Sequence, residues 1–266
     1  YDAPHDRWYL PRGTAPSTHI IKQRHVRFRG IVCNEQLCMR TAALLHLHVV
    51  DSFLLEPLQD DTEHALFAAK RFDRVIPENA QTVSGLPRPL RLHQEDFAQA
   101  LGIPSEKKYE PDGGTYLRDM FELLRRQSAD PVADQKRLWE IVVFQCLIGN
   151  ADAHLKNYAL LYDAHLRSKR LAPAYDIVST IIYPESTRTS SMRIGEARDL
   201  GAVNRVSLLH AAEEARIGRR VTEEVTDRLM AQFGDALHDA AKELAQTGFP
   251  DARRMAEQIY TVSGRR

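Results

Sequence analysis

The sequence predicts an α+β fold in which a small β-rich N-terminal lobe is joined to a larger, mostly helical C-terminal lobe. β-branched and aromatic segments bounded by turn formers are concentrated in the first part of the chain, as is typical of short strands. Farther along, apolar positions recur mainly at helical spacing. No internal repeat or flexible linker interrupts the chain, so we expect two closely joined lobes at residues 1–73 and 74–266.

The small lobe is expected to contain short strands around one helix. Cys38, Ala42 and Leu45 recur at spacings of three and four, which predicts a helix. An acidic turn at residues 59–62 separates two apolar segments. The expected elements, in order, are a strand at Arg7–Leu10, a strand at His19–Lys22, a helix from about Asn34 to His46, and apolar segments at Val49–Leu55 and Ala65–Phe72.

In the large lobe, glycine and proline mark the expected ends of helices. A short helix should close at Gly102 and Pro104, and a longer apolar helix should stop at Gly149. The helices are expected at residues 95–101, 116–126 and 134–148, followed by amphipathic helix at 207–260 with breaks near Gly218, Gly234 and Gly248.

Composition excludes several classes of protein. The 266 residues carry 36 Lys and Arg and 36 Asp and Glu, a balance that argues against a main affinity for nucleic acid or an anionic membrane. With 43% hydrophobic residues, the chain can bury a large core and is not expected to be disordered. Three cysteines without metal-ligand spacing favour buried thiols, and the apolar runs are far shorter than a membrane span. We therefore expect a soluble cytoplasmic protein.

The most informative stretch is Gly149–Asn157, where ionisable and amide side chains follow directly after an apolar helix. Asp152 and Asn157 are five residues apart, which is the spacing of the base and the metal-binding amide in a protein-kinase catalytic loop. Asp176 follows 19 residues after Asn157, where a kinase holds its second magnesium ligand.

Phosphoryl transfer requires a carboxylate to accept the proton of the acceptor hydroxyl and hard oxygen donors to hold Mg²⁺. The spacing assigns Asp152 as the base and Asn157 and Asp176 as metal ligands, with His154 and Lys156 at the phosphates of ATP. The alternative is that Asp152 and Asn157 cap a helix while His154 and Lys156 lie on the surface.

On the small lobe, Lys22 follows two isoleucines on a predicted strand, as the phosphate-pairing lysine of kinases does, and Glu35 could be its ion-pair partner. The alternative is an ordinary solvated lysine. No glycine-rich phosphate loop of the GxGxxG or GxxxxGK[ST] type occurs in the chain. Zinc-protease, serine-hydrolase and CxxC motifs do not occur either.

Seven segments together resemble the HipA-type serine/threonine kinases of bacterial toxin–antitoxin systems. Their order and spacing match that family across roughly residues 8–195. The segments are Ser17–Lys22, Asn34–Met39, Arg71–Arg74, Gln94–Gly102, Lys108–Gly114, Gly149–Asn157 and Pro173–Asp176.

The resemblance implies a two-lobed protein-kinase-like fold and a role for each matching residue. Asp152 matches the family's proton acceptor, and Asn157 and Asp176 match its magnesium ligands. Lys22 matches the strand lysine on the ATP phosphates. The remaining nucleotide-binding residues that it implies are Lys70, Arg71 and Phe72 at the hinge, with adenine held by their backbone, and His154, Leu155, Lys156, Asn157 and Tyr175 near the phosphates.

The resemblance also implies partners. The expected cofactors are ATP and Mg²⁺, the usual target is an aminoacyl-tRNA synthetase, and the usual partner is a helix-turn-helix antitoxin that supplies the affinity for DNA. Family members carry a glycine-rich loop with an autophosphorylatable serine just ahead of the segment where this chain opens, so we expect such native sequence upstream of Tyr1. A small N-terminal subdomain, which in some branches is a separate protein, is a further expected partner.

Two other functions stay open at this point. A kinase-like protein that binds or regulates without turnover would explain the missing phosphate loop, and a small-molecule kinase could use the same base and metal ligands. The hydroxyl-rich stretch from Ser179 to Ser191 lies where kinases keep an activation loop, although an ordinary polar loop has the same composition.

Overall fold

The structure is a computed structural model, and it describes residues 1, 7–12, 15–55, 64–83 and 85–263. The acidic turn expected at residues 59–62 lies outside these ranges. Among the described residues, no helix is both long and apolar enough to cross a bilayer.

The small lobe is built on a three-stranded antiparallel sheet with β3 between β1 and β2. β1 places Lys22 opposite Phe67 of β3. The strand predicted at Arg7–Leu10 is wrong, because residues 8–10 are in neither helix nor strand. The elements are β1 (His19–Lys22), α1 (Ile31–Leu44), β2 (Ser52–Leu55) and β3 (Leu66–Lys70).

Helix α1 is buried along nearly its whole length. Leu37 and Cys38 are fully buried, and α1 packs against β2 and β3 on one side and against two C-terminal helices on the other. Its first residue follows Gly30, where a Cβ would lie 2.5 Å from Met255 of the last helix. The lobes are therefore joined by packing around α1 as well as by the chain itself.

After β3, the chain passes through residues 71–73 into two small ribbons and then into the large lobe. A second three-stranded antiparallel sheet, in the order β10–β9–β8, lies there, and β11 pairs with β12. The strands are β4 (Arg74–Val75), β5 (Thr82–Val83), β6 (Leu86–Pro87), β7 (Leu90–Arg91), β8 (Gln94–Asp96), β9 (Ala159–Tyr162), β10 (Lys169–Leu171), β11 (Thr189–Ile194) and β12 (Ala197–Asp199).

Helices are the main regular elements of the large lobe. They are α2 (Phe97–Ala100), α3 (Tyr116–Gln127), α4 (Pro131–Ile148), α5 (Arg205–Glu214), α6 (Arg219–Gln246) and α7 (Asp251–Ser263). The break predicted near Gly234 is wrong, because α6 continues through it. A glycine inside a helix costs only about 1 kcal/mol relative to alanine. At this position a Cβ would lie 2.8 Å from the ring of Tyr260, so glycine allows α7 to approach closely.

Helix α4 delivers the chain to the functional site. The Asp130 side chain accepts a hydrogen bond from the Ala133 amide at its N-terminus, and Pro131 occupies the first turn. At its C-terminus, Gly149 adopts φ 69°, a left-handed conformation that glycine reaches without steric cost. The backbone thus turns sharply at Gly149, as the sequence predicts, and the polar segment 150–157 begins in a defined direction.

Replacing Gly149 by alanine should destabilise the protein more than the same change at Gly102. Both glycines have positive φ, at 69° and 68°, so each alanine would carry a left-handed strain of about 1 kcal/mol. At Gly149 the new Cβ would also lie 2.3 Å from Ile181, which adds an overpacking cost, whereas nothing lies within 4 Å at Gly102. We expect losses in the free energy of unfolding of about 3 kcal/mol for Gly149→Ala and about 1 kcal/mol for Gly102→Ala in urea titrations. Equal losses would contradict the role of Ile181.

Candidate active site

Three polar side chains of the large lobe converge where α4 and the second sheet meet. Asp152 follows the turn at Gly149, and Asn157 ends a short 3₁₀ turn that leads into β9. Asp176 lies beyond β10, in a segment tied to the small lobe by the hydrogen bond from the Val50 amide to the Ala174 carbonyl. Asp176 itself has φ 57°, a conformation that costs energy for any residue except glycine and is typical of functional loops.

A continuous chain of polar contacts links the two lobes. Lys22 on β1 donates to Glu35 on α1 at 2.7 Å and to Asp176 at 2.5 Å. The Asn157 side-chain amide donates to the other carboxylate oxygen of Asp176 at 2.8 Å. Asp176 therefore receives one donor from each lobe.

Burial and charge shift the pKa values of this chain. Burial raises the pKa of Glu35 to about 7, against the opposing effect of the Lys22 ammonium. Burial by itself would lower the pKa of Lys22, but the carboxylates of Glu35 and Asp176 outweigh it, so that its pKa is raised. Lys22 thus stays a cation in the cleft.

Asp152 is exposed at the floor of the cleft and is held from two directions. Its Oδ1 accepts a hydrogen bond from the Tyr109 hydroxyl at 2.8 Å, and its backbone amide donates to Asn150 at 3.0 Å. Desolvation and the hydrogen bond to Asp152 raise the pKa of Tyr109 to about 12, so that this hydroxyl keeps its proton at neutral pH. One carboxylate oxygen of Asp152 is oriented in this way, and Oδ2 has no hydrogen-bond partner among the described residues.

The donor set fits a magnesium ion. Mg²⁺ binds carboxylate and amide oxygens. The Asn157 side-chain nitrogen donates to Asp176. Its side-chain oxygen, Oδ1, is buried and has no hydrogen-bond partner among the described residues. An orphaned buried oxygen is unfavourable unless a ligand satisfies it. Asn157 Oδ1 and the Asp176 carboxylate could therefore hold the metal together.

These side chains line one cavity of about 670 Å³ between the lobes. Of the residues singled out from the sequence, Lys22, Asp152, Asn157 and Asp176 lie in its wall, together with Glu35. Much of the hydroxyl-rich stretch lines it too, and part of that stretch is strand β11 rather than a loop. The hydroxyl-bearing residues of this stretch that line the cavity are Thr180, Ser186, Thr187, Thr189, Ser190 and Ser191.

The other residues expected near the phosphates lie outside the cavity wall. His154 and Leu155 are buried, and burial lowers the pKa of His154. The Lys156 ammonium is 2.6 Å from Asp96, the N-cap residue of α2. Tyr175 donates its hydroxyl hydrogen bond to the Lys156 carbonyl at 2.9 Å. In this conformation none of these four side chains lines the cavity.

The expected hinge also lies outside the cavity wall. The Lys70 and Arg71 amides donate to the carbonyls of Asp51 and Thr18, at 2.9 Å each, so these two N–H groups are already used. The Arg71 guanidinium forms two hydrogen bonds to Asp73. The Phe72 ring stacks on Tyr175 with 5.3 Å between the ring centroids.

Sequence reasoning missed two residues that shape the site. Tyr109 lies in a matching family segment, but its position gives no signal that its hydroxyl orients Asp152. Asn34 on α1 donates to the Ser179 carbonyl at 2.7 Å and accepts from the Ser179 amide at 3.2 Å. This pair of bonds ties α1 to the segment after Asp176. An asparagine in a buried helix is a signal that could have been used, since a buried amide needs partners.

Comparison with known proteins identifies the family. The model of the HipA-like C-terminal domain matches residues 3–240. The chain belongs to the HipA-like C-terminal domain family. It is 36% identical over 244 residues to "Putative kinase Y4mE" of Sinorhizobium fredii, covering 88% of this chain and 55% of that protein. It is 30% identical over 202 residues to the serine/threonine-protein kinase toxin HipA of Shewanella oneidensis, covering 72% of this chain and 43% of that protein. The chain thus spans about half the length of these relatives.

Two solved structures share the fold. HipA of Shewanella oneidensis, in a complex with HipB and operator DNA, matches with a TM-score of 0.78 and 24% identity, over 96% of this chain and 59% of that chain. The Helicobacter pylori proinflammatory kinase CtkA matches with a TM-score of 0.56 and 13% identity, over 93% of this chain and 90% of that chain. The predicted kinase-like α+β fold and the HipA resemblance are therefore confirmed.

Stability should depend on pH through Glu35. The pKa of Glu35 is about 7 in the folded protein and about 4.3 in an unfolded chain. Between these values the folded state holds a proton that the unfolded state has lost, so the free energy of unfolding should fall as the pH rises from about 5 to about 8. Glu35→Gln replaces the titrating carboxyl by an amide that does not titrate. The fall in the free energy of unfolding with pH should therefore be smaller in this variant, as measured by urea titrations across that range.

The matched control is Glu224→Gln, which removes a carboxyl from the exposed face of α6. It should show the same fall in stability with pH as the wild-type protein. If Glu35→Gln did so too, the raised pKa of Glu35 would be contradicted.

Proposed function

We propose that this protein is an ATP- and Mg²⁺-dependent serine/threonine protein kinase. One observation carries the proposal: Lys22, Asp152, Asn157 and Asp176 line a single cavity between the lobes, and Asn157 Oδ1 is buried there without a hydrogen-bond partner. Phosphoryl transfer needs little more from a protein than positioning and charge neutralisation around a triphosphate, and this set offers one cation, one base and two metal ligands.

Asp152 is the proposed base. The Tyr109 hydroxyl holds its Oδ1, so that Oδ2 can accept the proton of a serine or threonine hydroxyl. As that proton leaves, the acceptor oxygen forms a bond to the γ-phosphorus of ATP, and the bond from this phosphorus to the bridging β–γ oxygen breaks. The products are a phosphoester and ADP, and the proton rests on Asp152.

Asn157 and Asp176 are the proposed holders of Mg²⁺, which when bound neutralises the charge of the β- and γ-phosphates. In the structure, Lys22 and the Asn157 amide already donate to the Asp176 carboxylate, and so they fix its orientation. Lys22 is also placed to contact the phosphates while Glu35 holds it on the other side.

We place the adenine at residues 70–72, with Tyr175 behind Phe72, so that the remaining backbone groups of this segment bind the base. Lys156 could reach the phosphates only by leaving its 2.6 Å ion pair with Asp96. His154 and Leu155 would act there through their backbone, because their side chains are buried.

The biological role proposed here is that of the toxin of a toxin–antitoxin system. The support is the name of the Shewanella oneidensis relative, a serine/threonine-protein kinase toxin, and its structure with HipB and operator DNA. On this proposal a helix-turn-helix antitoxin binds the protein and contacts the DNA, a separate small N-terminal-subdomain protein is a further partner, and phosphorylation of an aminoacyl-tRNA synthetase arrests translation. The zero net charge of the chain agrees with DNA affinity residing in the antitoxin.

Asp152→Asn should abolish transfer while leaving the fold and ATP binding in place. Loss of a general base costs about 10²- to 10⁴-fold in rate, because the acceptor hydroxyl must then lose its proton unaided. We expect γ-phosphate transfer in a radiolabel assay with the full-length gene product to fall by at least about a hundredfold, and growth arrest on induction to disappear.

Asp235→Asn, at an exposed position on α6, is the control for loss of one carboxylate and should retain activity and toxicity. An Asp152→Asn protein that still transferred phosphate would refute the assignment of the base. If calorimetry showed that the wild-type protein binds ATP and Mg²⁺ but no transfer followed, a regulatory protein without turnover would be the better description.

A further inference from the structure

The cavity between the lobes is lined by many residues besides the proposed metal ligands, and the expected hinge residues are not among them. Residues 70–72 and Tyr175 are absent from its wall, whereas Gln23, His25 and Phe28 of the loop between β1 and α1 line it together with several residues of the stretch 180–191, and we take this part of the wall as its far end. If the adenine lies at the hinge, this far end is not needed for the nucleotide. Asp152 borders it, so it is the space from which an acceptor hydroxyl would approach the base. We call it the acceptor compartment.

One wall of the acceptor compartment is apolar and held in place by neighbouring contacts. Phe28 stacks on His25 at 4.8 Å and lies 5.1 Å from the Tyr183 ring, measured between ring centroids. The Tyr183 hydroxyl accepts a hydrogen bond from Asn34 at 3.1 Å. Together with Ile31 of α1, these rings form an apolar surface in the cavity wall. A large apolar side chain of a ligand could pack against this surface.

The loop that carries Phe28 is basic and exposed. Arg24 and Arg27 flank His25 and Val26, and all four residues are exposed. Neither arginine has a carboxylate partner within the part of the chain that the structure describes. Two exposed cations without a carboxylate partner among the described residues, on either side of the cavity-lining His25, favour a ligand that carries negative charge.

The opposite wall is rich in hydrogen-bonding groups. Thr187 is exposed there, and Ser191 is buried with its Oγ unpartnered among the described residues. The Ser191 amide donates to the Ala151 carbonyl at 2.9 Å, which places Ser191 beside the residue that precedes Asp152. Hydroxyl groups that donate and accept are suited to the main chain of an extended peptide.

We propose that the acceptor compartment selects a polypeptide acceptor whose serine or threonine is next to a large apolar residue and close to an acidic residue. The apolar side chain packs against Phe28 and Tyr183, the acidic residue pairs with Arg24 or Arg27, and the hydroxyl reaches Asp152. This inference rests on the proposed kinase function and deepens it by naming the class of acceptor.

A peptide library with a central serine, one randomised position at a time, tests this selection in the presence of Mg²⁺ and γ-labelled ATP. Wild-type protein should phosphorylate peptides with Leu, Ile or Phe beside the serine about tenfold faster than those with Gly, since an apolar pocket discriminates on that scale. It should also favour Asp or Glu over Lys near the serine. Phe28→Ala should lose the apolar preference, and the double variant Arg24→Ala/Arg27→Ala should lose the acidic one.

Val26→Ala is the matched control, because Val26 lies on the same loop, is fully exposed and does not line the cavity. It should keep both preferences. Phosphorylation of the library without apolar or acidic preference, or variants that keep the preferences, would overturn the inference and leave the proposed kinase function standing.

If no peptide were phosphorylated, binding of the same peptides would be measured by fluorescence polarisation with Mg²⁺ and a non-hydrolysable ATP analogue. Retained preferences that disappear in Phe28→Ala and the arginine double variant would support the acceptor compartment and count against turnover. Peptides that do not bind at all would overturn the inference and favour a small-molecule acceptor.

Discussion

The candidate site depends on the carboxylate of Asp176, which connects the two lobes inside the cleft through charged and polar contacts. It receives the Lys22 ammonium from the small lobe and the Asn157 amide from the large lobe. Its backbone is in a left-handed conformation that costs energy, so the surrounding structure must maintain it. The Asn34 bonds to Ser179 and the backbone bonds between residues 48–50 and Ala174 supply that support on either side.

Helix α1 makes this arrangement rigid. It carries Glu35, which holds Lys22, and Asn34, which holds the segment after Asp176. Because α1 also packs on α6 and α7, its position relative to the large lobe is set by buried apolar contacts. In such a structure the charged residues of the cleft are oriented before any ligand arrives, which lowers the cost of binding. The raised pKa of Glu35 is the electrostatic cost of that burial.

Family membership and local geometry contribute different kinds of support. The HipA-like match covers residues 3–240 and shows what the chain is related to. The geometry shows which of the matching residues share a cavity, and it divides them into two groups. Lys22, Asp152, Asn157 and Asp176 line the cavity, whereas the Lys156 ammonium pairs with Asp96 and the Tyr175 hydroxyl binds the Lys156 carbonyl outside it. A motif alone does not make that distinction, because neighbouring residues in a loop point in different directions.

Much of the fold and of the core site was predictable from the sequence. The strand His19–Lys22, the stop of α4 at Gly149 and the pairing of Lys22 with Glu35 all follow from local pattern: β-branched residues, a glycine able to adopt positive φ, and kinase spacing. The helix break predicted at Gly234 was wrong because the packing of α6 against α7 overrides the low helix propensity of glycine. The strand predicted at residues 7–10 was wrong too, since its β propensity is not matched by burial: all four residues are exposed.

What the sequence determined by itself was therefore the order of the elements and the identity of the polar residues. Only the tertiary structure decided that Tyr109 orients Asp152, that Lys156 turns to Asp96, and that the Lys70 and Arg71 amides are occupied. The physical reason is that hydrogen bonds form between groups that are distant in sequence, such as the 43 residues from Tyr109 to Asp152. Their partners are set by how the lobes pack, and no local pattern records that packing.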